Sequence, residues 1–379
     1  MAGREKFEAA FSREGAASFP AGICYHGIFL RDHWDEVTRE PWWTQFDPDP
    51  ARAVAPWAEM IRQTGEDWFP APFGFTRRER KDLALVFEPD GVFRVNKATG
   101  AREALHRPPV GGEQIGHRAE RDFPAQGVRD VETLDSILER VTGRRRDAAQ
   151  TEDGSLDLPR ALVKEFGGDR LPQASVGGPY WSCFGLWGFE EMMTGLLEFP
   201  DLIQRACRRL LEDALRRVEL HAAAGAGVIW IEDCMTDLIS PDQFRRFNTP
   251  CLRALTDAIR GAGMFSIHYY CGRPHDRWDL LLDTGADALA LEESKKDFAI
   301  DIEEVAARVD GRMALLGNVD AIGILERGSD EQLRAEIARQ CRAGRRNRNR
   351  FAVSLGSPVT PATPLRRVRL YCDLVHQVR

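Results

Sequence analysis

Three stretches, 264-MFSIHYYCGRP-274, 286-ADALALEES-294 and 311-GRMALLGNVDAIGIL-325, decide how this chain folds. Each joins a short apolar run to a polar or reactive end. Met264 to Tyr270 reads as a buried strand, and the His, Tyr and Cys residues at its carboxyl end are groups that an enzyme places at the mouth of a barrel. Working outward, strands are expected at 172–178, 227–233, 264–270, 286–292, 312–317 and 350–355, with helices near 187–196, 199–224 and 241–262. A parallel connection needs a crossover of a dozen or more residues, so this alternation implies a parallel sheet. No GxGxxG follows any of these strands, which removes the main support for an open dinucleotide-binding sheet. A closed (β/α)8 TIM barrel is the preferred architecture.

The first third is irregular and rich in aromatic residues, as in 21-AGICYHGIFLRDHWDEVTREPWWTQF-46, with a helix near 51–65. In 83-LALVFEPDGVFRV-95 two apolar runs flank Pro89, Asp90 and Gly91, whose backbone preferences suit a tight hairpin turn. Residues 1–120 are therefore expected to be an N-terminal extension with a lid-like β-hairpin insertion, within a single barrel domain spanning 1–379. Such segments over a barrel mouth commonly set substrate choice.

Composition narrows the function. A chain of 379 residues with 43% hydrophobic and 29% charged residues can bury one large core. The net charge of -7 gives no electrostatic reason to expect nucleic acid. The basic run 342-RAGRRNRNR-350 reads as a solvated helix end leading into a loop. Eight Cys are scattered without a CxxC pair, so they do not form a disulfide framework. No stretch of about 18 apolar residues is present, and the first residues lack an apolar signal core. A soluble cytoplasmic protein without membrane partners, monomeric or homodimeric, is expected.

Alternation along the strands assigns faces, because successive side chains point to opposite sides and bulky aliphatics mark the helix side. Ile229 and Ile231 are read as outward, leaving Val228, Trp230 and Glu232 inward. Phe265 and Ile267 are read as outward, leaving Ser266 and His268 inward. Leu289 and Leu291 are outward, leaving Ala288, Ala290 and Glu292 inward. Glu232, His268 and Glu292 are thus expected to converge on one mouth. Two carboxylates and an imidazole at one mouth are groups that can ion-pair or bind a substrate. Tyr269, Tyr270, Asn318, Asp320 and Trp181 are candidate substrate contacts at the mouth.

An ordered set of pieces, 177-GGPYWSCFGLWGFEEMM-193, 225-GAGVIWIED-233, 239-ISPDQFRRFNTPCLRAL-255, 271-CG-272, 285-GADALALEE-293, 317-GNVD-320 and 363-TPLRRVR-369, resembles the uroporphyrinogen decarboxylase superfamily, which includes corrinoid-linked methyltransferases. The resemblance covers roughly residues 170–379 and implies a (β/α)8 barrel with its active site at the carboxyl face of the strands. Thiol-methylating members carry a zinc motif resembling HxCG and a later Cys. Here Tyr269 stands where that His belongs, and Ser357 stands at the later Cys position. The family's decarboxylases use an amino-terminal Arg-rich motif and a catalytic Asp. Arg31 is the only basic residue that 18-SFPAGICYHGIFLRDHWDE-36 offers, apart from its histidines, and Asp67 resembles the Asp loosely.

The branch that demethylates ethers or amines is closer, since some members use carboxylate and imidazole zinc ligands. This resemblance implies a methyltransferase moving a methyl group between a small methylated substrate or acceptor and a corrinoid (cobalamin) protein partner. Glu232, His268 and Glu292 would bind zinc or transfer protons, with Cys271 and Asp233 in support. The alternative is a cofactor-independent decarboxylase, with Asp67 or Asp233 stabilising a cation and His268 donating a proton.

Overall fold

The computed structural model describes residues 1–111, 123–148, 151–294 and 298–378. Among them, ten strands follow in chain order: β1 (Trp68–Pro70), β2 (Leu83–Glu88), β3 (Gly91–Asn96), β4 (Arg102–Leu105), β5 (Leu171–Gly177), β6 (Val228–Asp233), β7 (Phe265–Tyr270), β8 (Ala288–Leu291), β9 (Ala314–Leu316) and β10 (Phe351–Ala352). Seven of these form one curled sheet in the order β1-β5-β6-β7-β8-β9-β10. All its neighbouring pairs are parallel.

The sheet closes through a segment that is too short to read as a strand from its sequence. Ala21 bridges in parallel to Val353. The Val353 amide donates to the Pro20 carbonyl at 2.9 Å, and the Gly22 amide donates to the Val353 carbonyl at 3.1 Å. On the other edge the Asp67 amide donates to the Ala21 carbonyl at 2.9 Å. The residues around Ala21 are thus the eighth stave of a (β/α)8 barrel. This corrects the expectation for residues 1–120, since they supply both the closing stave and β1.

Helices cover the sheet because their apolar residues recur at helical spacing. The helix Thr249–Gly261 buries Cys251, Leu252, Leu255, Thr256 and Ile259, one stripe that faces the sheet. The helix Pro200–Ala224 stops at Gly225, whose φ of 92° is a left-handed conformation that glycine adopts without a Cβ penalty. At the amino end of the barrel, the helix Gly3–Phe11 inserts Phe7 and Phe11. The Phe7 ring stacks on Trp68 at 4.9 Å, and Phe11 meets Phe265 at 5.2 Å. One end is therefore plugged.

The hairpin expected at 83–95 is present, with Glu88 opposite Gly91 across a turn of Pro89 and Asp90. A third antiparallel strand, β4, extends it into a separate sheet. The basic run at 342–350 closes the helix Asp330–Arg346 and then fastens the chain. Arg348 pairs with Asp310 at 3.0 Å, and Arg350 donates to the carbonyls of Gly311 and Phe11 at 2.8 and 2.9 Å. Among the described residues no helix is long and apolar enough to cross a membrane.

Candidate active site

Residues that are paired in register across a parallel sheet point to the same side. Glu232 is registered with Tyr269, Tyr269 with Ala290, and Ala290 with Leu316. Trp230 and Glu232 line a cavity of about 460 Å³ at the carboxyl ends of β1, β5 and β6. Trp230 stacks on Tyr269, with ring centroids 4.8 Å apart. This face is the lumen. Ile231, His268, Leu289 and Leu315 are registered with one another and share the opposite face.

His268 is therefore not in the mouth with Glu232. Its Nε2 lies 2.9 Å from Asp233 Oδ2, which also accepts from Asn248 Nδ2 at 2.8 Å. All three side chains are fully buried between the sheet and its helices. The π turn Phe244–Asn248 carries Asn248 to that bond. Tyr270 shares this layer, where its ring faces Phe244 at 6.3 Å and its hydroxyl donates to the Arg273 carbonyl at 3.1 Å. The inversion in β7 has a physical cause. A barrel interior is itself close-packed, so Phe265 and Ile267 fill the lumen as readily as aliphatics fill the helix side, and bulk does not discriminate.

The expected zinc ligands consequently do not converge. Glu232, Cys271 and Glu292 continue the lumen face, but the His268 imidazole points away behind the sheet. Charge effects agree with this, since Glu232 and Cys271 act on the Tyr25 hydroxyl, and Cys271 and Glu292 act on the Tyr269 hydroxyl. Cys271 hydrogen-bonds with Cys234, and that bond together with burial pushes the Cys234 thiol far above its usual range. Among the described residues no group of three His, Cys, Asp or Glu is arranged to hold a metal. The residues proposed from sequence do not fit zinc.

Other candidates fall away from the cavity. Asp67 sits at the amino end of β1, where its carboxylate accepts from the Ala21 amide at 2.8 Å, Lys6 at 3.1 Å and His376 at 2.8 Å. Burial pushes its carboxyl up, but the bonds and charges of His376, the Ala21 amide and Lys6 outweigh this and hold it below the usual range. It cannot act as the mouth Asp of a decarboxylase. Asn318 donates to the carbonyls of Glu292 and Ile300 at 3.1 and 3.0 Å, bracing the end of β8. Asp320 caps the turn Ala321–Glu326, and Ser357 donates to Glu293 at 2.8 Å. Trp181 is half-buried beside Phe184.

Several cavity residues were not anticipated. His26 Nε2 lies 3.0 Å from Glu66 Oε2, which also accepts from the Ile23 amide at 2.7 Å and Trp68 Nε1 at 3.0 Å. A buried carboxylate with three donors fixes the imidazole that lines the cavity. Tyr25, just before it, has φ 61° and ψ 50°, a strained backbone for a bulky residue. The signal was present in 21-AGICYHG-27, a strand followed by reactive residues, but is visible only once Ala21 is recognised as a stave. Arg217 and His221 also line the cavity. Burial raises the Glu232 carboxyl, and the Arg217 charge opposes that rise. Burial, then the Arg217 charge, pushes His221 down to about 3, against the Ser175 carbonyl.

A closed (β/α)8 barrel, with a half-buried acid at the wall of an aromatic cavity at the carboxyl face of its strands, has the form of a barrel enzyme. Residues 145–378 match the uroporphyrinogen decarboxylase (URO-D) family, and the chain belongs to that family. It is 26% identical over 272 residues to a uroporphyrinogen decarboxylase from Anaeromyxobacter dehalogenans, covering 70% of this chain and 71% of that one. It is also 26% identical over 211 residues to a methylcobamide:CoM methyltransferase from Methanosarcina barkeri, covering 55% and 59%. A methyltransferase from Methanosarcina mazei shares the fold, with a TM-score of 0.65 at 17% identity over 99% of this chain and 98% of that one. The relatives are enzymes of two kinds.

Proposed function

We propose that this barrel is the methyltransferase component of a corrinoid-dependent system, moving a methyl group between a small methylated substrate or acceptor and a corrinoid protein. The observation that carries this reading is Glu232, a carboxyl raised by burial at the wall of an aromatic cavity of about 460 Å³. When a methyl group leaves a heteroatom, the carbon–heteroatom bond breaks and the heteroatom keeps the electron pair, so it needs a proton. A carboxyl raised by burial keeps its proton to higher pH than an exposed one and can supply it. The corrinoid, borne by its partner, supplies the nucleophile that accepts the methyl group.

The chain's own residues do the rest. Tyr25, Trp68 and Trp230 exclude water and hold a flat substrate, His26 is held by Glu66 at the cavity wall, and Glu232 is the proton donor. No step is routed through zinc. The decarboxylase reading has less support, because Arg217 is the single Arg or Lys among the described residues lining the cavity, and Asp67 lies at the other end of the barrel. A substrate with many carboxylates needs more cations than that.

The test incubates purified protein with methoxylated or methylaminated aromatic compounds and a reduced corrinoid protein, and separately with uroporphyrinogen. Demethylated product in the first assay and no decarboxylated porphyrinogen in the second is expected. Decarboxylation without demethylation would refute the reading.

A further inference from the structure

The cavity is lined by more than the sheet's own side chains. β1 pairs with β5 only over Trp68–Pro70 and Leu171–Gln173, and the Ala71 amide makes a further bond to the Gln173 carbonyl at 2.8 Å. Beyond that point the chain turns away toward Phe73, and the upper part of β5 has no β1 partner in the ladder. Arg217 and His221, one helical turn apart on Pro200–Ala224, line the cavity together with that part of β5. An outer helix thereby contributes side chains to a cavity that also holds Gln173, Ser175 and Glu232.

His221 is unusual for a buried histidine. It is 4% exposed, and its ring nitrogens make no well-aligned hydrogen bond, the Ser175 carbonyl acting on the imidazole only as a weak acceptor. Phe73 covers one face of the ring, with centroids 4.2 Å apart and planes at 7°. The imidazole is thus packed in place, poorly satisfied by its one carbonyl neighbour, beside a permanent positive charge. Buried polar atoms are almost always satisfied, and a ligand is the partner this geometry leaves room for.

We propose that Arg217 and His221 form an anion subsite that takes the carboxylate of a small aromatic substrate. The guanidinium donates to a carboxylate in a fixed fork, and the neutral imidazole gives its one N–H to the same anion in place of the weak contact with the Ser175 carbonyl. The aromatic walls take the ring, and Glu232 lies at the reacting end. An anion that engages Arg217 also draws its charge away from Glu232, which favours the protonated acid. This assignment rests on the reading above only in taking the cavity as the substrate site.

Binding of 4-methoxybenzoate and of neutral 4-methoxybenzyl alcohol, measured by titration calorimetry without corrinoid, tests it. The wild-type protein is expected to bind the acid at least tenfold more tightly than the alcohol. Arg217→Met and His221→Phe should each abolish that preference by weakening acid binding at least tenfold, and His221→Gln, which keeps a donor, should retain part of it. Circular dichroism checks that each variant is folded. Equal affinity for both ligands, no binding of the acid, or a preference that survives both substitutions would overturn the subsite. Because no methyl transfer is involved, a negative demethylation assay leaves this result standing, and the reverse also holds.

Discussion

Glu232 is subject to opposed forces, burial raising its carboxyl and Arg217 restraining the rise. Below the unfolded value the group is protonated in both states, so folding is indifferent to it. As pH rises the unfolded chain ionises first, and the folded state loses relative stability until the raised folded value is passed. Glu232→Gln should therefore melt at or above the wild-type temperature at pH 8 and converge with it near pH 4, as differential scanning calorimetry would show. Asp67 has the opposite sign. Its carboxyl is held low, so its contribution is present above the unfolded value near 3.8 and lost as pH falls through the folded one. Asp67→Asn should cost about 1–3 kcal/mol at pH 7 by urea titration, with the difference closing in acid and demethylation unaffected. His268→Ala strips a fully buried partner from Asp233 and should cost about 3–5 kcal/mol, seen as a lower urea midpoint.

At the scale of elements, the regular carboxyl two-thirds was legible because its apolar runs alternate with helical stretches. The expected strand at 227–233 appears as Val228–Asp233, and the one at 264–270 as Phe265–Tyr270. The faces were legible only where one side was plainly polar or small. Small Ala288 and Ala290 marked the lumen in β8, whereas β7 carries bulk on both faces and its alternation inverts. The closing stave at Ala21 was not legible, since it is held by backbone bonds to Val353 and Asp67 and has no run of β-formers to announce it. His26, Arg217 and His221 were missed for the same reason: the site depends on which segments the closed barrel brings together. The helix Pro179–Glu198 contains a break at Gly188, with φ 76° and a position where a Cβ would fall 2.7 Å from the Phe123 ring. Gly188→Ala should cost about 1–3 kcal/mol through strain and overlap, measured by urea unfolding.

The whole molecule is a barrel plugged at its amino end by Phe7 and Phe11 and open to chemistry at its carboxyl end. This polarity explains why the Asp67 cluster, buried and charged as it is, belongs to stability, while Glu232 and His26 belong to the cavity. Family membership narrows the chemistry to two kinds of enzyme, and the acid in an aromatic cavity is what favours methyl transfer between them. The most direct measurement is the single-turnover rate of demethylation, with a reduced corrinoid protein as acceptor, followed across pH for wild type and Glu232→Gln. The account predicts that the wild-type rate is highest where Glu232 is protonated and falls as pH rises through its raised value. It also predicts that the Gln variant is slower by about 10²–10⁴-fold with a flat profile. A Gln variant that keeps the wild-type rate and the wild-type pH dependence would contradict it.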